Sequence, residues 1–231
     1  MVNGFKTVLA AAALSFSQLS VATVVFSDNF DTETRGLNTQ PSLWTVTNGT
    51  VDTIGDPLVG LDFFNLRPGN GLYIDLDGSS RNAGVMTSDA FTLTPGLNYT
   101  LTFDLSGSAR GPRTGSDRVT AGLDFNGDAL FDQSIDVTLV STAPFTTFTI
   151  TFTVASIFTN AHIVFDHWGT TTTRTGGNNQ GLLLDRVLLV DNRQPGGGGG
   201  GGQSVPVPGS WLLLGAGLGF IGAARRRHSG V

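Results

Sequence analysis

The sequence is poor in the residues that build helices and crosslinks. Its 231 residues include no cysteine, a single lysine (Lys6) and a single glutamate (Glu33), but 29 threonines and 32 glycines. Without cysteine, the chain has no disulfide framework, no thiolate metal site and no cysteine nucleophile. So much threonine and glycine, with so few helix-favouring polar residues, predicts strands joined by turns.

Positive charge is scarce outside the ends of the chain. Four of the 13 basic residues are Lys6 and the arginines at 225–227, and all 18 acidic residues lie between Asp28 and Asp191. Residues 23–193 therefore have nine arginines against 18 acids, a net charge of −9. Because nucleic-acid binding depends on basic residues that neutralise phosphates, this part of the chain is a poor partner for DNA or RNA.

Recognisable catalytic motifs are missing as well: there is no Gly-x-Ser-x-Gly elbow, His-Glu-x-x-His helix or phosphate-binding loop. Asp166 is next to His167, but neighbours on a strand point to opposite faces and cannot form a dyad. His162 and Asp166 share a face, which fits a binding site or a satisfied core pair. We expect no enzymatic activity, although spacing alone does not select a carboxylate pair for glycoside hydrolysis among the 17 aspartates.

Residues 1–22 have the pattern of a secretory signal peptide. Lys6 supplies the positive charge, Val8 to Phe16 form a short apolar stretch, and Ser20-Val21-Ala22 put small residues at a cleavage site. The apolar stretch is too short to span a bilayer. We predict cleavage after Ala22; the alternative is an alanine-rich helix of the folded domain.

A glycine-rich linker and an apolar segment end the chain. Residues 193–204 include seven consecutive glycines, Gly196 to Gly202, which form a flexible tether. Residues 205–224 are 20 positions without a charge, enough to cross the hydrocarbon as a helix, and three arginines follow. A span whose basic end stays cytoplasmic has this arrangement. We predict a transmembrane helix here, against the alternative of a buried core helix.

This C-terminal segment, residues 205–231, resembles the PEP-CTERM protein-sorting signal in a VPxP-type variant. The residues that carry the resemblance are Val205, Pro206 and Pro208, the span from Trp211 to Ala224, and the cluster Arg225, Arg226 and Arg227. Val207 stands where the name-giving motif has Glu. The resemblance implies that an exosortase, a membrane protease or transpeptidase, processes the tail in a bacterium that makes extracellular polysaccharide.

The body of the chain, residues 23–192, alternates between apolar and polar residues. The clearest runs are Leu97 to Leu105, Val119 to Phe125 and Phe148 to Val154. Turn signals such as Pro95-Gly96 and Asn126-Gly127 separate the runs. About ten strands of this kind predict an all-β fold, an antiparallel β-sandwich or jelly roll. The stretches that break this rhythm are predicted loops: 32–42, 56–71, 106–117 and 170–179.

The two ends of the body resemble galactose-binding-like jelly rolls, a group that includes several carbohydrate-binding modules. The opening stretch FSDNFDTETRGLNTQPSLWTV has their polar segment and a Trp before the next strand, and GLLLDRVLLVDN resembles their closing strand. The resemblance implies a structural Ca²⁺ at Asp31, where Glu is usual, and Asp185. If the first and last strands are adjacent, these two carboxylates approach each other and repel unless protonated or bridged by a cation.

A second acidic stretch, LDFNGDALFD, imitates the ligand spacing of a calcium-binding loop. However, position 6 is Ala129 instead of Gly, and position 12 is Ile135 instead of Glu. A β-hairpin with an Asn-Gly turn explains the stretch with fewer assumptions. The residues at positions 1, 3, 5 and 9 are Asp124, Asn126, Asp128 and Asp132.

Aromatic residues with a polar atom are the candidates for contact with a ligand. Most of the 16 phenylalanines fall on the apolar faces of the strands and belong in the core. Trp44, Tyr73 and Trp168 could stack on sugar rings. Trp44 fits equally well in the core, whereas Trp168 ends a strand beside the predicted loop 170–179.

Together these features predict an exported protein, first anchored in the inner membrane and then delivered to the cell surface or matrix. The leading hypothesis for the body is non-catalytic binding of carbohydrate, such as the cell's own exopolysaccharide. The alternatives are a purely structural surface protein that binds no glycan and a secreted polysaccharide hydrolase.

Overall fold

Thirteen β-strands and no α-helix make up the residues that a computed structural model describes, 21–56, 64–80, 82–109, 116–169 and 179–193. The all-β prediction is confirmed, with more strands than the alternation suggested. The strands are β1 Val21–Asp28, β2 Gly36–Thr39, β3 Trp44–Thr47, β4 Val51–Gly55, β5 Leu72–Asp75, β6 Val85–Ser88, β7 Phe91–Leu93, β8 Asn98–Ser106, β9 Ser116–Asp124, β10 Gln133–Val140, β11 Thr146–Thr153, β12 Phe158–Gly169 and β13 Leu183–Arg193.

The strands form two sheets, and every strand ladder in them is antiparallel. One sheet has seven strands in the order β11-β8-β13-β5-β4-β2, with β1 also paired to β13. The other has six strands in the order β10-β9-β12-β6-β3, with β7 paired to β12. Because β1 runs beside β13, the first and last strands are neighbours, as predicted. Two such sheets packed face to face form an antiparallel sandwich.

The core lies between the sheets and is filled by the inward side of each strand. In β8, Leu101, Phe103 and Leu105 are fully buried, while Thr102 between them faces the other way and is half-buried. Phe103 meets Phe165 of β12 edge to face, with ring centroids 5.1 Å apart. Fully burying a side chain of this size stabilises the fold by about 1.5–3 kcal/mol. The alternation of threonine with large apolar residues therefore holds the two sheets together.

The connections follow the predicted turn signals, with one correction. Gly96 and Gly127, in two of the predicted turns, have left-handed φ values of 79° and 77°. The predicted loop 32–42 is wrong in part, because its centre forms β2, Gly36–Thr39. This strand is four residues long, has no buried side chain and pairs with β4 through a shifted register. No alternation marks it in the sequence.

The predicted terminal segments lie outside the described residues: the signal peptide up to residue 20, the linker from residue 194 and the sorting signal 205–231. Within the part of the chain that is described, no helix is long and apolar enough to cross a membrane. β1 already begins at Val21, which pairs with Arg193. Strand pairing therefore starts two residues before the predicted boundary at residue 23.

Candidate functional site: a groove on the seven-stranded sheet

The outer face of the seven-stranded sheet carries an open groove of about 440 Å³. It crosses neighbouring strands, since β8 pairs with β11 on one side and with β13 on the other. Leu101 and Phe103 of β8 point into the core, so Thr102 and Asp104 face outward, and Thr147 of β11 lies opposite Asp104. The lining residues are Ser27, Asp28, Asn29, Thr102, Asp104, Thr147, Arg186, Val187 and Leu188.

Arg186 reaches this groove from a bulge in β13. The register between β13 and β8 shifts between Asp185 and Leu188, and Arg186 has a φ of 48°. A bulge redirects a side chain, and a left-handed non-glycine residue costs of order 1–3 kcal/mol, which the surrounding structure must offset. The Arg186 guanidinium pairs with Asp104, whose Oδ1 also accepts a hydrogen bond from the Thr147 hydroxyl at 2.5 Å. The groove therefore holds an exposed cation over a buried carboxylate.

The two predicted calcium ligands lie close enough for their charges to interact. Burial raises the pKa of Asp185 to about 6, the backbone N–H and guanidinium of Arg186 oppose that shift, and the nearby charges of Asp31 and Asp104 add to it. Asp185 is 3% exposed. The pairing of β1 with β13 thus brings the carboxylates of Asp31, Asp104 and Asp185 near one another. Among the described residues, Arg186 is the one guanidinium that forms ion pairs with this group.

The donor set of Asp31 and Asp185 fits a calcium ion in part. Carboxylate oxygens are the ligands that Ca²⁺ prefers. Some of their capacity is already used, because Asp31 accepts hydrogen bonds from the Leu72 N–H at 3.0 Å and the Asn29 amide at 2.7 Å, and Asp185 accepts one from the Arg186 N–H at 2.7 Å. No three acidic, histidine or cysteine side chains of the described residues are grouped to hold a metal. Further ligands would have to be main-chain or water oxygens, and calcium stays a prediction.

Two of the three aromatic ligand candidates are buried, which corrects the expectation that they stack on sugars: Trp44 lies in the core between the sheets, and Tyr73 lies in a separate apolar cluster with Ile54 and Leu183. Trp44 is 3% exposed, and its indole N–H donates to Asp28 Oδ2 at 2.7 Å. Tyr73 is fully buried, and its hydroxyl oxygen accepts a hydrogen bond from the Arg67 N–H at 2.8 Å. The polar atom of each side chain serves an internal hydrogen bond, so neither ring has a face open to a ligand.

Trp168, the third candidate, is half-buried at the end of β12, on the outer face of the other sheet. Its indole N–H donates to the Thr120 hydroxyl at 3.3 Å, and the guanidinium of Arg118 lies 5.6 Å from its ring centroid. Arg118 also pairs with Asp136 at 2.6 Å. Trp168 therefore stays a candidate ligand contact, but on the six-stranded sheet and apart from the groove.

The histidines do not form a catalytic pair. His167 is fully buried, its Nε2 accepts a hydrogen bond from the Leu182 N–H at 3.3 Å, and burial lowers its pKa to about 3. His162 and Asp166 are half-buried on the opposite side of β12, as strand alternation predicted. The Nδ1 of His162 lies 2.7 Å from the carbonyl oxygen of Ser88. These contacts are those of structural residues.

The stretch with calcium-loop spacing forms the predicted hairpin between β9 and β10. The Asp124 carboxylate accepts hydrogen bonds from the backbone N–H groups of Gly127 at 2.7 Å and Ala129 at 2.8 Å. Asp132 Oδ2 accepts another from the Phe125 N–H at 2.6 Å. The carboxylates of Asp124 and Asp132 thus accept hydrogen bonds from backbone N–H groups of the same loop.

The sequence patterns did not indicate the groove. Arg186, Asp104 and Thr147 are far apart in the chain, and only the ladder that joins β11, β8 and β13 brings them together. The one local signal was the Asp-Arg pair inside the apolar closing strand. This pair led to the prediction of Asp185 as a calcium ligand, but it gave no indication that Arg186 lines a groove.

Comparisons with known proteins give structural likenesses only. No protein-family model matches the chain, and no curated protein matches it. Solved structures that it is similar to include a family 35 carbohydrate-binding module from Clostridium thermocellum, with a TM-score of 0.37, 13% identity, and coverage of 63% of this chain and 90% of that one. A family 4 carbohydrate-binding module has a TM-score of 0.41, 16% identity, and coverage of 71% and 98%. The K1 cleaved adhesin domain of Lys-gingipain from Porphyromonas gingivalis W83 has a TM-score of 0.45, 11% identity, and coverage of 72% and 98%.

Proposed function

We propose that this chain is an exported surface protein whose β-sandwich binds carbohydrate without catalysis, in the groove on the seven-stranded sheet. The chemistry of the groove wall carries the proposal. Arg186 offers N–H donors, and Thr102 and Thr147, whose hydroxyl protons bond to the Leu188 carbonyl and to Asp104, offer acceptor oxygens. Sugars present rows of hydroxyl groups that donate and accept, so a wall that mixes donors and acceptors suits them.

The shape and floor of the groove support the same ligand class. Its volume of about 440 Å³ lies within the range of about 300–1,000 Å³ that is usual for ligand sites. The half-buried Leu188 adds aliphatic surface to the lining, against which the C–H groups of a sugar ring can pack. The groove is open along the sheet, and a second polar hollow follows on the same face, between Thr100 and Thr151. A polymer can lie across both.

The acids of the groove support binding rather than hydrolysis. Asp104 is held by Arg186 and Thr147, and Asp28 accepts hydrogen bonds from the Trp44 indole and the Phe30 N–H. A hydrolase needs one acid placed to protonate the leaving group and a second to act as base or nucleophile. Both groove acids are already engaged in internal contacts.

The predicted terminal segments support the proposal that the protein is exported to the cell surface. Residues 1–22 direct export, 205–224 hold the precursor in the inner membrane, and an exosortase acts on the tail. The partner that follows from this route is the extracellular polysaccharide of the producing cell. Delivery to the surface brings the groove and that polymer into one compartment.

Affinity electrophoresis of the full chain tests the groove, with gels that contain the exopolysaccharide of the producing bacterium, xylan, a soluble β-glucan or alginate. Leu188→Trp fills the groove, and Thr102→Ala removes one hydroxyl. We expect the first to abolish retardation and the second to weaken it. Thr138→Trp, on the outer face of the other sheet, is the matched control and should bind as the wild type does.

Other outcomes would replace the proposal. Loss of binding in Trp168→Ala but not in Leu188→Trp would move the site to the six-stranded sheet. No retardation by any polysaccharide would favour the purely structural surface protein, and shortening of a polysaccharide would reinstate the hydrolase. Thermal melting of each variant confirms that the fold persists.

A further inference from the structure

β11, the eight-residue strand Thr146–Thr153, forms one edge of the seven-stranded sheet. It pairs with β8 without a register shift, from Thr146↔Leu105 to Thr153↔Asn98. Among the described residues no other strand pairs with it, and no backbone hydrogen bond from a loop reaches it. An edge of this kind presents unpaired N–H and C=O groups that can accept another strand.

The other described strands at the edges of the two sheets are protected in ways that β11 is not. β2 and β3 have four residues each, and the register of β2 shifts. β1 has a shift between Val24 and Phe26. β10 is as long as β11 but carries Asp136 at its centre. Short edges, bulges and charges are the usual protection against edge-to-edge pairing. β11, with the sequence TTFTITFT, has no charge, proline or glycine.

The sequence of β11 is also a palindrome. Residues 147–153 read TFTITFT, which is the same in both directions about Ile150. In an antiparallel pair of two such strands with the two-fold axis at Ile150, Thr149 lies opposite Thr151 of the second copy, and every other residue likewise meets its own kind. Cross-strand Thr–Thr and aromatic pairs are favourable in antiparallel sheets. An isologous interface requires this self-complementarity.

We propose that β11 pairs with β11 of a second copy of this chain, antiparallel about Ile150, so that two seven-stranded sheets become one. The second copy is the partner that fits, because the strand is complementary to itself and uncharged within residues 23–193, whose net charge is −9. Repulsion between two acidic bodies is therefore not focused on this edge. The four outward threonines of each β11 are exposed, and pairing would extend the threonine-bearing face across both copies. The inference does not depend on glycan binding.

The absence of cysteine from the chain permits a sharp test. Full-length Thr149→Cys and Thr151→Cys proteins are mixed in detergent and oxidised mildly. The paired positions would have Cα atoms about 4.5–5.5 Å apart, within disulfide reach. We expect disulfide-linked heterodimers in the mixture, at least tenfold more than homodimers of either protein alone. Ser134→Cys mixed with Thr138→Cys, which flank Asp136 on β10, is the matched control.

A second measurement does not depend on crosslinking. Thr149→Lys replaces an exposed side chain, so the fold should persist, while two lysines near the axis should dissociate the dimer in sedimentation analysis. Thr138→Lys is its control and should leave the dimer intact. The proposal is overturned if the mixture forms no more heterodimer than the β10 control, if single proteins crosslink as well as the mixture, or if Thr149→Lys sediments like the wild type.

Discussion

His167 should make the stability of the protein depend on pH. The side chain is fully buried, and burial lowers its pKa to about 3, against an ordinary value of about 6.5. Between these values the folded protein binds fewer protons than the unfolded chain. The stabilising contribution of neutral His167 to the free energy of unfolding is therefore complete above pH 6.5 and is lost as the pH falls toward 3. The loss is about 1.4 kcal/mol of unfolding free energy for each pH unit.

We expect His167→Gln to remove this dependence, because its amide oxygen can accept the hydrogen bond from Leu182. Urea unfolding at pH 7 and pH 5 measures the effect: the wild type should lose about 2 kcal/mol more than the variant. His162→Gln, on the opposite face of β12, leaves His167 in place and should lose as much unfolding free energy between pH 7 and pH 5 as the wild type does. An equal loss in the wild type and in His167→Gln would contradict the role given to His167.

Calcium should stabilise the protein through Asp31 and Asp185. Asp185 is buried beside like charges, so a cation bound only to the folded state would relieve repulsion. At a hundredfold excess over Kd such an ion adds about 2.7 kcal/mol. We expect the melting temperature of the full chain to rise by several degrees with Ca²⁺ and to return with chelator.

Two variants identify where the ion binds. Asp31→Asn should abolish the calcium effect on the melting temperature. Asp132→Asn, in the β9–β10 hairpin, is the control and should keep it, since the amide oxygen can still accept a hydrogen bond from Phe125. A melting temperature unmoved by Ca²⁺ would leave Asp31 and Asp185 as structural residues.

Single residues were harder to place from the sequence than strands were. Trp44 and Tyr73 combine a ring with a polar atom, which suits a binding face and a core equally well. The structure decides by burying them, and Asp28 and Arg67 supply their hydrogen-bond partners. Those partners come from other segments, so no local pattern could reveal them. The same holds for the ion pair of Arg186 with Asp104, which depends on a bulge.

At the scale of elements, alternation predicted the strands that cross the core, because β8, β9 and β11 each bury one face against the other sheet. β2 escaped prediction for the converse reason: it buries no side chain, so its strand conformation comes from pairing with β4. Long strands can be predicted because burial of one face leaves an alternating pattern in the sequence. The strand conformation of a short edge strand depends instead on neighbours that are distant in sequence.

The close pairing of β9 and β10 gives a prediction for a glycine. A Cβ at Gly122 would clash with the carbonyl oxygen of Gln133 and approach Ser134, which are backbone neighbours that cannot rotate away. We expect Gly122→Ala to lower the free energy of unfolding by about 1–3 kcal/mol, as overpacked sites do. Gly36→Ala is the control, because its Cβ would meet only the movable Thr39 methyl at 3.0 Å. Equal stability of the two variants in urea unfolding would show that β10 shifts freely.

At the scale of the whole molecule, charge and glycine are distributed unevenly along the chain, in the order expected of an exported protein. The acidic body is flanked by a basic residue near the start and three arginines near the end. Seven glycines separate the body from the apolar segment 205–224.

Export with cleavage after Ala22 is the prediction that follows from this arrangement. In a Gram-negative host, mass spectrometry of the exported chain should find Thr23 as its first residue, because signal peptidase requires a small residue before the cut. Ala22→Phe should block cleavage and leave a precursor that retains Met1. This substitution is compatible with the fold, since Ala22 is exposed on β1 opposite Asn192. Cleavage at this site would also remove the pairs that Val21 and Ala22 make with β13, so the mature β1 should pair from Thr23↔Asp191 onward. A wild-type chain found in the cytosol with Met1 intact would end both the export prediction and the proposed meeting with extracellular polysaccharide.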